Sequence, residues 1–146
     1  MIARQISVFL ENRPGRLSDV LEELAAVGIN LRAIAVADTT DFGIMRLMVD
    51  RPDEAEARLK AAGFTCTIND VISVEIPDTP GALAKVTRTL ANEGINVNYL
   101  YPFSRSALLL LKTDDNRRAV EVLSRAGFSI VDEDHLYRPE EEDLTK

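Results

Sequence analysis

Residues 6–30, ISVFLENRPGRLSDVLEELAAVGIN, return as residues 72–96, ISVEIPDTPGALAKVTRTLANEGIN. Ile6-Ser7-Val8 matches Ile72-Ser73-Val74, Pro14-Gly15-Arg16-Leu17 matches Pro80-Gly81-Ala82-Leu83, and Gly28-Ile29-Asn30 matches Gly94-Ile95-Asn96, all at an offset of 66. Farther on, Ala62-Gly63-Phe64 matches Ala126-Gly127-Phe128 at an offset of 64. Two residues are therefore missing from the second copy between its second and third strands, a change that hairpin tips accept. A period this long, present only twice, describes two small domains rather than a solenoid.

Each copy reads as strand, helix, strand, strand, helix, strand. In Gln5–Leu10 the apolar Ile6, Val8 and Leu10 alternate with Ser7 and Phe9, as in a half-buried strand. Leu17, Val20, Leu21, Leu24 and Ala25 form one helical stripe, which Gly28 ends. Asn30–Ala37 and Phe42–Val49, parted by Asp38-Thr39-Thr40-Asp41, read as a hairpin. Pro52 opens a second helix with Ala55, Leu59 and Ala62 on its stripe, and strand Phe64–Ile68 follows. The second copy repeats the series with Val71–Ile76, Leu83–Asn92, Asn96–Phe103, Ala107–Thr113, Asn116–Ala126 and Ser129–Asp132. The expected class is α+β: two ferredoxin-like βαββαβ units with antiparallel sheets and the helices on one face. The units span residues 1–69 and 70–136, with an acidic tail over 137–146. A unit of this size buries too little surface to stand well alone, and the Asn69-Asp70 junction is too short for independent motion. A joint eight-stranded sheet is the simplest expectation.

Composition narrows the function. Of 146 residues 46% are hydrophobic and 28% charged, which suits a globular domain and excludes disorder of the whole chain. The formal charge of −7 opposes a nucleic-acid footprint. No apolar run approaches the length needed to span a bilayer, and Met1-Ile2-Ala3-Arg4-Gln5 lacks the core of a secretion signal, so the expected compartment is the cytoplasm. Cys66 and His135, the only residues of their types, form no metal pair of common spacing and no disulfide. Neither a metal nor a cofactor is expected.

Three features carry chemistry. The loops Asn12-Arg13-Pro14-Gly15 and Asp78-Thr79-Pro80-Gly81 read either as plain turns or as the entry to a helix whose free amides hold a carboxylate. Asn30 and Asn96 each open a strand, where Asn is disfavoured. Their carboxamides either cap a neighbouring turn or grip an amino acid by its ammonium and carboxylate. Tyr99, Tyr101 and Phe103 share one side of a strand where the first copy has Ala33, Ala35 and Ala37. This aromatic row marks either packing between sheets or subunits, or a side-chain pocket.

Together these residues resemble the ACT-domain family over nearly the whole chain, as a tandem pair from about Ile2 to Asp134. The family's acidic-x-Pro-Gly loop stands complete at Asp78–Gly81, and Asn12 replaces the acid in the first loop. The resemblance implies a regulatory protein that binds a free amino acid or similar small effector, acts on an enzyme of amino-acid synthesis, and associates as a dimer. It also implies that a ligand lies between paired modules, with Asn12, Arg13, Pro14 and Gly15 joined to Asn96, and Asp78, Thr79, Pro80 and Gly81 joined to Asn30. No catalytic residues are expected. Two other readings stand beside this one. One is a structural subunit without a ligand; the other is an acylphosphatase-like hydrolase that would use Arg13 on phosphate and Asn30 to place water.

Overall fold

The computed structural model describes residues 2–38, 41–103 and 107–137. In chain order the elements are β1 (Ala3–Glu11), α1 (Arg16–Ala26), β2 (Leu31–Asp38), β3 (Phe42–Val49), α2 (Pro52–Ala61), β4 (Thr65–Glu75), α3 (Ala82–Asn92), β5 (Val97–Pro102), β6 (Leu108–Thr113), α4 (Asn116–Arg125), β7 (Ile130–Val131) and α5 (Glu133–Leu136). The class is α+β, as the repeat implies. The β5–β6 hairpin is two residues shorter than β2–β3, as the change of offset requires. Residues 39–40 and 104–106 lie outside the described residues, as does the acidic stretch Pro139–Lys146.

One antiparallel sheet runs through both copies in the order β2-β3-β1-β4-β6-β5, with β7 also paired to β4. It has seven strands rather than the expected eight, because Phe64–Ile68 and Val71–Ile76 merge into β4. The cause is local. Asn69 and Asp70, read as a break, stay extended and pair with Gln5 and Arg4 of β1, and the Asn69 carboxamide oxygen accepts the Ser7 hydroxyl at 2.6 Å. Residues Thr65–Val71 pair with β1 and Ile72–Glu75 with β6, so one strand ends the first ferredoxin-like unit and begins the second.

Alternation along β4 fixes the layers. Cys66 packs with Ile6, Val8, Val20, Leu24 and Leu59 under α1 and α2. Ile72 and Val74 pack with Val86, Leu90, Ala119 and Leu123 under α3 and α4. Cys66, Ile72 and Val74 are even-numbered residues of the same strand, so the four long helices share one face. Burying a Leu, Ile or Val of this kind contributes roughly 1.5–3 kcal/mol.

The opposite face holds a third core. Ala33 of β2 packs there with Met48, Val71, Tyr101, Phe103, Leu110 and Leu136. β2 and β5 end the strand order on opposite sides, yet they meet in this cluster, so the sheet is rolled until its helix-free face closes on itself. The aromatic row therefore serves packing between the two ends of one sheet. The α5 helix, capped by the Asp132 carboxylate on the His135 N–H at 3.0 Å, seats Leu136 in the same core. Tyr137 follows with its ring edge-on to Phe103. Arg4 ties this end down through Glu133 at 3.1 Å and Asp53 at 3.1 Å.

Candidate functional site

Both leading helices begin in the same unusual way. Gly15 before α1 has φ 90° and Gly81 before α3 has φ 84°, a left-handed conformation that favours glycine, and no side chain caps either helix. By contrast α4 is capped by the Asp115 carboxylate, which accepts from the Arg118 N–H at 3.1 Å. A β-carbon at Gly15 or Gly81 would meet nothing within 4 Å, so the backbone turn, rather than steric room, demands glycine there. The first amides are used within the loops, Arg16 N–H donating to the Arg13 carbonyl at 3.4 Å and Ala82 N–H to the Thr79 carbonyl at 3.2 Å, so it is the amides after them, with the positive end of the helix dipole behind, that suit a carboxylate.

Around the second loop the surface is concave. A cleft of about 500 Å³ is lined by Thr79, Pro80, Lys85, Phe128 and Ser129 among others. A second, of about 700 Å³, lies on the other side of the loop against Asp78, Leu83, Pro102 and Leu109. This arrangement offers amides and Lys85 to an anion and Asp78 to an ammonium group. In the first loop the Asn12 N–H donates to the Asp41 carbonyl at 3.1 Å, and Arg13 turns back onto Glu11 at 2.8 Å.

The asparagines stand elsewhere. Asn30 is exposed and its N–H donates to the Asp50 carboxylate at 3.3 Å. Asn96 is exposed, its amide donating to Asn98 at 3.2 Å and its carbonyl accepting from the Asp114 N–H at 3.1 Å. Each loop lies at the hairpin end of its unit and each asparagine at the other end. Arg13 and Asn30, the two residues of the acylphosphatase-like reading, are therefore not brought together. Strand alignment also separates the cross-unit pairs. Asn96 lies at the level of Asp70, which faces Arg4, and Asn12 is about eight residues farther along β1, roughly 26 Å at the strand rise. Asn30 lies at the level of Ala3 and Val71, and Asp78 is about seven residues, roughly 23 Å, beyond. Within one chain the loops and the asparagines of the opposite unit do not meet.

One polar group was not foreseen from sequence. Gln5, fully buried, receives the Tyr101 hydroxyl on Oε1 at 2.5 Å and donates from Nε2 to the Tyr99 hydroxyl oxygen. Burial pushes the Tyr101 phenol far above its ordinary pKa, as it does Tyr137. The available signal was a pair of polar residues, Gln5 and Ser7, on the helix-free side of a strand, opposite tyrosines in the other copy. Cys66 is buried, which also raises its pKa. Among the described residues no group of three or more His, Cys, Asp or Glu side chains is placed to hold a metal, and no helix is long and apolar enough to cross a membrane.

Known proteins agree with this architecture. A crystal structure of protein BT0572 from Bacteroides thetaiotaomicron is similar at 38% identity, covering 95% of this chain and 98% of that one, with a TM-score of 0.88. The regulatory subunit of aspartate kinase from Thermus thermophilus, in its ligand-free form, is similar at 19% identity over 87% of this chain and 97% of that one, with a TM-score of 0.62. Its counterpart from Thermus flavus matches at 19% over 86% and 95%, with a TM-score of 0.57. At that identity the two Thermus proteins show a shared fold. No curated protein matches. The family described as ACT domain pair matches residues 1–139, and with the duplicated βαββαβ frame the chain belongs to that family.

Proposed function

We propose that the chain is a non-catalytic regulatory protein that binds a free amino acid at its glycine-led helix starts and so controls a partner, an enzyme of amino-acid synthesis. The observation that carries this is that α1 and α3 begin uncapped on left-handed Gly15 and Gly81, whereas α4 and α5 are capped and α2, also uncapped, begins on Arg51 and Pro52 without such a glycine. Because a loop and the opposite unit's asparagine lie far apart within one chain, each ligand is proposed to sit between two chains. Asn12, Arg13, Pro14 and Gly15 of one chain would face the partner's Asn96. Asp78, Thr79, Pro80 and Gly81 would face the partner's Asn30. Asp78 gives the second cradle an ammonium partner that Asn12 does not give the first, so the second binds more tightly.

Thermal unfolding with each common amino acid tests the reading. Occupancy at 100 times Kd stabilises by about 2.7 kcal/mol, a shift of several degrees for a chain of this size. Asp78→Ala and Asn30→Ala are expected to weaken the response while the unliganded melting point stays near that of the parent chain. Gly81→Asn is preferred to a branched residue because Asn tolerates positive φ. If no amino acid raises the melting temperature, the ligand-free structural subunit is the better description.

A further inference from the structure

On the helix-free face, the first unit presents a polar floor that the loop cradles do not use. Gln5, Ser7, Arg46, Thr67, Asn69 and Tyr99 meet there, and none of the six is acidic. Ser7 faces Arg46 on one side and Thr67 on the other, and Gln5 faces Asn69. The Arg46 guanidinium lies 3.7 Å above the Tyr99 ring. Its Nε is closed off from solvent without a hydrogen-bond partner, and among the described residues no carboxylate pairs with it. A guanidinium N–H in that position lacks an acceptor.

The direction of the neighbouring hydrogen bonds leaves further donors over. The Tyr101 hydroxyl donates to Gln5, and Gln5 donates to the Tyr99 oxygen, so the Tyr99 proton points to neither. The Ser7 hydroxyl donates to Asn69 Oδ1 at 2.6 Å and Thr67 approaches the same oxygen at 3.5 Å, which fixes that carboxamide with Nδ2 as an unused donor among the described residues. Donors from three strands converge and acceptors are spent, so the complement is an anion. Beyond Ser7, Phe9 and Ile44 form an apolar rim, with Phe9 46% exposed. We propose that this floor binds a small organic carboxylate, with its oxygens on Arg46 and the Tyr99 hydroxyl and its apolar part against Phe9. The site lies on the face opposite the helices and is separate from the cradles proposed above.

Acetate, propionate and benzoate are the probes, titrated at constant ionic strength against sodium chloride. The readout is the NMR signal of the Arg46 Nε–H, identified by its loss in Arg46→Gln, together with the Ser7 and Asn69 amides. A saturable shift is expected with the carboxylates and not with chloride, strongest for benzoate because of the apolar rim. Arg46→Gln should abolish the amide shifts. Tyr99→Phe keeps the ring and removes one donor, so it should weaken binding by about tenfold; it carries the test alone if Arg46→Gln does not fold. Gly81→Asn should leave the titration unchanged. Chloride reproducing the shift, Tyr99→Phe leaving affinity untouched, or Gly81→Asn abolishing the response would overturn the assignment.

Discussion

Ser73 has a hydroxyl with no partner among the described residues, at 0% exposure between Leu110 and Val131. A buried, unsatisfied polar group destabilises, so Ser73→Ala should raise unfolding stability by about 1 kcal/mol, measured by chemical denaturation. The tyrosines give a second expectation. Because Tyr101 and Tyr137 have raised pKa values in the folded chain, the neutral phenol is favoured there. Their contribution is complete below the unfolded pKa of about 10 and falls as pH rises above it. Stability should therefore decline from about pH 10 upward, and phenolate absorbance from these two residues should appear together with unfolding. Tyr101→Phe should remove part of that alkaline sensitivity. Sequence pattern identifies the glycines and loops of the cradles, because φ and helix stops leave local signatures. It does not identify Gln5 with Tyr99 and Tyr101, whose meeting depends on how far the sheet rolls.

At the scale of elements, the two copies have diverged to fit each other. Ala33 and Ala35 of β2 lie in the core to which Tyr99, Tyr101 and Phe103 belong. Small side chains on one edge strand thus admit large ones from the other, which explains why a near-exact repeat is unequal at these positions. Ala33→Leu should overpack this seam and cost about 1–3 kcal/mol, and Phe103→Leu in the same chain should recover part of the loss. Equal costs with and without the second change would show that the strands are not packed in this way. The helices and hairpins were legible because each has an apolar period and a Gly, Pro or Asp boundary. The merger at Asn69-Asp70 was not, since turn-forming residues were held extended by pairing with β1. Nor was α5, since Asp132, read as the end of strand Ser129–Asp132, acts instead as a helix cap.

At the scale of the molecule, the rolled sheet brings its two terminal strands, β2 and β5, to the same side, and they run in opposite directions. Ile34 and Val36 of β2 are 46% and 52% exposed and stand on the helix side of an edge strand. Such an edge is a template for another strand. A two-fold axis parallel to the strands would set β2 antiparallel to the partner's β5, and β5 to the partner's β2, closing both edges at once. The chain should therefore sediment as a dimer at micromolar concentration, and Val36→Lys should shift it to monomer without unfolding it. Facing residues of an antiparallel pair have β-carbons about 5 Å apart, close enough for a disulfide. Leu31→Cys combined with Val97→Cys, which stand at one level along the strands, should oxidise to a covalent dimer, while Cys66, buried, stays out of the reaction. If Leu31→Cys alone cross-links as well as the double variant, β2 pairs with its own copy.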